Sequence, residues 1–102
     1  MAQIYDCFTI TPIMTLEDYG FCKKGEGGPF VESGVIAPDG DLPMNTSGGL
    51  LSETGMPGMQ LIIEGVRQMR GTANRQVTSA QSCIVSNQGG VMHTHSTLIL
   101  GQ

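Results

Sequence analysis

A glycine pair, Gly48-Gly49, followed at Pro57 by an amphipathic run, restricts the fold of this chain more than any other feature. Glycine lets backbone approach backbone, or a ligand, more closely than a side chain permits. The pair therefore marks a place where two segments, or a segment and a ligand, meet. The polar loop Thr54-Gly55-Met56-Pro57 then leads into a helix, with Pro57 suited to its first turn because an N–H there would have no helical partner. Leu61, Ile62, Val66 and Met69 recur at a helical rather than an alternating period, which predicts a helix from about Pro57 to Arg70. A glycine-rich loop entering a helix N-terminus offers free N–H groups to an oxygen or thioester ligand. By itself the segment is no more specific than that.

The flanking segments read as one α/β unit over residues 1–102. Ile4–Phe8 is the end of a short strand running into a helix that carries Phe8, Ile10, Ile13, Met14 and Leu16 and stops at Gly20. Pro12 requires that helix to begin near Thr9 or Thr11. Residues 23–42 are punctuated by Gly, Pro and Asp and read as a surface excursion with one short helix. Gln76–Ser86 is a β-branched run closed by Asn87-Gln88-Gly89-Gly90. Val91–Leu100 alternates as its antiparallel mate, with Val91, His93, His95, Thr97 and Ile99 on one face. The predicted order is β-α-(loop)-β-α-β-β.

Composition narrows the partners. Only 14% of the 102 residues are charged and 15 are Gly, about twice ordinary glycine usage. A chain with so little surface charge suits a piece covered by other protein. The net charge of −4, with Lys23-Lys24 as the sole basic pair, argues against nucleic acid. No apolar run is long enough for a membrane span, and the first residues lack a secretory pattern. Cys7, Cys22 and Cys83 are odd in number with no CxxC pair, which favours a reducing, cytoplasmic setting over a disulfide framework. His93 and His95 share a predicted strand face without a third ligand, so no metal is expected.

Three ordered boxes then carry a resemblance. Tyr5-Asp6-Cys7-Phe8 resembles the Asn-Glu-Ala-Phe or His-Asp-Cys-Phe box of thiolases. Gly48-Gly49 with Gly55-Met56-Pro57 resembles their Gly-Gly and Gly-His-Pro loop. Ser86-Asn87-Gln88-Gly89-Gly90 stands at the Cys-x-Gly or His-Asn-x-Gly turn. Arg70-Gly71 through Arg75-Gln76-Val77 is similar to a run in the lipid-transfer-protein branch. The match, to the C-terminal part of the thiolase family, covers nearly the whole chain. In that fold each half holds a five-stranded mixed sheet in the order 3-2-1-4-5. The resemblance gives this chain strands 2, 3, 4 and 5, with the central strand 1 missing. Buried backbone groups left unpaired cost about 1–3 kcal/mol each. Strand 1 is then expected from another polypeptide, or strands 2 and 4 pair directly.

The resemblance also implies a chemistry. Thiolases make or cleave carbon–carbon bonds beside a CoA thioester, which is a substrate and not a resident cofactor. Their nucleophilic Cys lies in the N-terminal half, so this segment is expected to be inactive without that half or a partner subunit, in an oligomeric assembly. Met56 replaces the His of Gly-His-Pro, and a thioether donates no hydrogen bond to an oxyanion. Asn87 stands at or beside the box cysteine. Cys7 is left to move a proton, and Tyr5 to act as an acid–base group or donor. Gly48, Gly49, Gly55, Met56, Asn87, Gly89 and Gly90 are the implied substrate-binding residues. Tyr5 in the first box with no His in the second resembles thiolase-like aldolases of steroid side-chain breakdown, which run a retro-aldol cleavage. The alternative is a non-catalytic thiolase-fold protein that binds a lipid, an acyl-CoA or another subunit.

Overall fold

A computed structural model describes residues 1–53, 58–89 and 92–102. Its elements are β1 (Ala2–Ile4), α1 (Ile10–Asp18), α2 (Gly27–Glu32), α3 (Met59–Arg70), β2 (Ser82–Gly89) and β3 (Thr94–Gly101). The sheet runs in the order β1-β2-β3. β1 and β2 are parallel, with Ala2 opposite Ile84 and Ile4 opposite Ser86. β2 and β3 form an antiparallel pair from Ser82↔Gly101 to Gly89↔Thr94.

The strand expected ahead of Gly48-Gly49 is reduced to a single parallel bridge between Ala2 and Met44. The order among the described residues is therefore β-α-α-α-β-β, with three strands rather than four. The cause lies in the two residues that flank Met44. Pro43 has no N–H to donate, and Asn45 is left-handed at φ 48°, so their backbone bonds to Ala2 close one bridge and the pairing goes no further. Asn45 instead lends its side chain to the sheet. The Ile4 N–H donates to Asn45 Oδ1 at 2.7 Å, and Asn45 Nδ2 donates to the Ile4 carbonyl at 2.9 Å. Both edges of β1 are thus bonded, and β1 pairs with β2 with no gap between them.

Alternation along the strands divides the core in two. Ala2, Ile4 and Leu16 pack with Phe30, Val31, Ile36, Leu42, Met44 and Ile84 on the side of α1 and α2. Leu50, Leu61, Cys83 and Val85 pack with Tyr5, Ile62, Met69 and Leu100 on the side of α3. α3 lies close to the sheet at Gly65, where a Cβ would stand 3.0 Å from Leu100 and 3.1 Å from Val85. The helix ends at Gly71 (φ 71°), a left-handed stop that glycine adopts without strain.

A buried polar network joins α3 to the glycine loop. Glu64 Oε1 accepts from Thr46 Oγ1 at 2.6 Å and from Gln68 Nε2 at 2.9 Å, while Gln3 Nε2 donates to Thr46 Oγ1 at 3.0 Å. Gln68 also holds the Arg75-Gln76-Val77 run. Its amide donates to the Arg75 carbonyl at 2.7 Å and accepts from the Val77 N–H at 2.9 Å. The run singled out by resemblance is thereby a strap across the end of α3.

α1 begins at Ile10, which leaves Pro12 in the first turn, and the excursion holds one short helix, α2. At the hairpin the expected turn is displaced. Asn87, Gln88 and Gly89 continue β2, opposite Ser96, His95 and Thr94. His93 precedes β3, so it does not share a strand face with His95.

Candidate functional site

Parallel strands β1 and β2 end at the same rim, the edge at which open α/β sheets commonly bind ligands. The chain leaving β1 supplies Tyr5, Asp6 and Cys7, and the end of β2 supplies Asn87, Gln88 and Gly89. The Tyr5 N–H bonds the Ser86 carbonyl at 2.9 Å, carrying the ladder one residue past Ile4. Tyr5 is half-buried and packs against the α3-side core. Cys7, also half-buried, goes to the other side. Its Sγ lies 3.3 Å from Gln88 Nε2 and 3.7 Å from Thr11 Oγ1 in the first turn of α1. Tyr5 and Cys7 therefore reach the rim from opposite faces of the sheet.

Between them sits a residue that sequence reasoning passed over. Asp6 is buried, and its Oδ1 accepts the Leu50 N–H at 2.7 Å. Gly48 and Gly49 are left-handed, at φ 109° and 74°. A Cβ on Gly49 would overlap the Asp6 carboxylate, so the second glycine of the pair is what allows the carboxylate to seat. The clue was available: a carboxylate inside the apolar run Ile4–Phe8, with no basic neighbour, must find N–H donors. The glycine loop is where such donors are free.

Asn87 turns to the α3 side and packs on Gly58, whose left-handed backbone (φ 56°) directly precedes α3. Asn87 Nδ2 reaches toward the Gly58 carbonyl at 3.5 Å, and Asn87 Oδ1 is buried without a partner among the described residues. Gly89 ends β2 in open space. Gly55, Met56 and Gly90 lie outside the described residues. Three contacts line this rim: Asp6 with Gly49 and Leu50, Cys7 with Gln88 and Thr11, and Asn87 with Gly58; of the expected site residues they include Cys7, Gly49 and Asn87, while Tyr5, Gly48 and Gly89 take no part in them.

The other cysteines contrast with Cys7. Burial pushes the Cys83 thiol up to about 11, so it remains protonated and inert. Desolvation and then the carboxylates of Glu17 and Glu26 raise the Cys22 thiol. Lys24 forms an exposed ion pair with Asp18. No group of three or more His, Cys, Asp or Glu side chains suited to a metal ion occurs among the described residues. No helix among them is long and apolar enough to cross a membrane.

The chain is similar to known proteins over nearly its whole length. The chain is 45% identical over 100 residues to a 17-hydroxy-3-oxo-4-pregnene-20-carboxyl-CoA lyase of Mycobacterium tuberculosis, covering 98% of this chain and 25% of that protein. It is 40% identical over 106 residues to an acetyl-CoA acetyltransferase of Methanothermobacter thermautotrophicus, covering 100% and 28%. Among solved structures it superposes on the Ltp2-ChsH2(DUF35) aldolase with a TM-score of 0.90 at 40% identity, over 98% of this chain and 26% of that one. The chain thus spans about a quarter of the length of the relatives it matches. A family model described as thiolase C-terminal domain-like matches residues 1–102, and together with the shared fold and the ordered boxes it shows that the chain belongs to the thiolase C-terminal domain-like family.

Proposed function

We propose that this chain is the C-terminal segment of a thiolase-like enzyme that acts on a carbon–carbon bond of an acyl-CoA thioester, by retro-aldol cleavage or acyl transfer, and that it turns over only with its N-terminal half or a partner subunit. The observation that carries this reading is the gathering of the Tyr5–Cys7 segment, the Gly48-Gly49 loop and Asn87–Gly89 at one strand-end rim. Similarity to a CoA lyase at 45% identity supports the retro-aldol direction. Similarity to an acetyltransferase keeps acyl transfer as the related reaction.

In the retro-aldol form the substrate is a β-hydroxyacyl thioester. Tyr5 takes the hydroxyl proton as the Cα–Cβ bond opens, and the electron pair passes to the thioester as an enolate. The side-chain amide of Asn87, on the same rim as the Gly48-Gly49 loop, steadies the charge on oxygen. Cys7 returns a proton to the α-carbon, leaving a carbonyl compound and a shortened acyl-CoA. Gly55, Met56 and Gly90 complete the substrate-binding set in this proposal, with CoA entering as part of the substrate.

The test is turnover of β-hydroxyacyl-CoA by the chain joined to a complementing N-terminal half. Tyr5→Phe and Cys7→Ala are each expected to lower kcat by about 10²–10⁴. Activity unchanged by both would overturn the assignment.

A further inference from the structure

We infer that Gln88 is a positioning residue for Cys7, with Thr11 as its second support. The inference extends the proposed role of Cys7 but concerns a contact that can be measured without turnover. Two steps past Ser86, Gln88 is carried by β2 to the side of the sheet that α1 covers. Its Nε2 reaches across to Cys7 Sγ at 3.3 Å, and the Thr11 hydroxyl lies 3.7 Å from the same sulfur. Gln88 Oε1 is buried with no partner among the described residues. The amide's place is therefore not set by a network of its own. The contact with sulfur is the side-chain hydrogen bond that Gln88 makes among the described residues.

Three elements meet at this thiol: the segment leaving β1, the end of β2 and the first turn of α1. Thr11 is itself held, being buried and having its N–H bonded to the Phe8 carbonyl at 3.0 Å. An N–H directed at sulfur limits its rotamers and steadies negative charge developing on it. Such a pair of supports has no use at Cys22 or Cys83, and neither of those thiols has a side-chain hydrogen-bond partner among the described residues.

The three cysteines make the chain its own control. Alkylation of each thiol by iodoacetamide at pH 8, followed by peptide mass spectrometry, gives three rates in one sample. Gln88→Leu is expected to slow alkylation of Cys7 by about 3- to 10-fold and to leave Cys22 unchanged. Cys83, silent while the fold is intact, reports unfolding. Thr11→Val should slow Cys7 to a smaller extent, and Thr11→Ser, which keeps the hydroxyl, should restore the rate. Should Gln88→Leu unmask Cys83, Gln88→Met keeps the length and apolar stem and is judged by the same criterion. A Cys7 rate that does not change in the folded Gln88 variant overturns the inference. Failure of Cys7→Ala to alter turnover in the joined protein would remove Cys7 from the chemistry yet leave the alkylation result standing, so the two ideas fail separately.

Discussion

Asp6 is the residue whose replacement should be felt most widely at the rim, because one buried carboxylate fixes a left-handed glycine loop. Asp6→Ala removes the acceptor of the Leu50 N–H and leaves a buried donor unmet. Chemical denaturation should show a loss of about 1–3 kcal/mol. Asp6→Asn keeps an oxygen in place and should lose less. Gly49→Ala should destabilise by a second route, since its Cβ would collide with the carboxylate at a backbone angle that alanine avoids. Cys83 supplies a pH dependence. Its thiol is raised from an ordinary value of 9.0 to about 11 in the folded chain, so the unfolded chain loses this proton first. The stabilising difference is complete below pH 9 and is lost as the pH rises toward 11, by about 2 kcal/mol. Melting curves across that range should fall for the parent chain and flatten for Cys83→Val.

Among the elements, the edge of β1 makes the sharpest prediction. Asn45→Ala deletes both bonds that the side-chain amide makes to Ile4. It should cost about 1–3 kcal/mol and speed hydrogen exchange at the Ile4 amide. This device was not legible in the sequence, because an asparagine standing in for a strand has no periodicity to read. α3 was legible, since Leu61, Ile62, Val66 and Met69 repeat at helical spacing and the helix spans Met59–Arg70. The hairpin was legible as a pair but not in register. Asn87 and Gly89 are common turn residues, yet both are paired in the ladder here. Of the candidate site, the boxes and their order could be read in advance. The clasp between Asp6 and Gly49 and the reach of Gln88 to Cys7 depend on contacts between distant residues that no local pattern records.

At the scale of the whole molecule, large apolar side chains stand exposed on several elements. Phe8 is 57% exposed, Met59 59%, Leu51 59% and Ile99 64%. The N-terminal half or partner subunit proposed above would cover part of this surface. The isolated chain should bind a hydrophobic dye and sediment as a concentration-dependent mixture. Coexpression with a complementing thiolase-like half should suppress both effects, and an unchanged dye signal in the coexpressed material would count against that cover.

The asparagine beside Ile4 has a further consequence for growth. A side chain ends after one amide, so it bars recruitment of another ribbon along that margin as a lid bars a jar. Among the described residues, the opposite margin, Thr94–Gly101, has no such stopper and contains no Lys, Arg, Asp or Glu. Any polypeptide that lengthens this sheet is steered to that side.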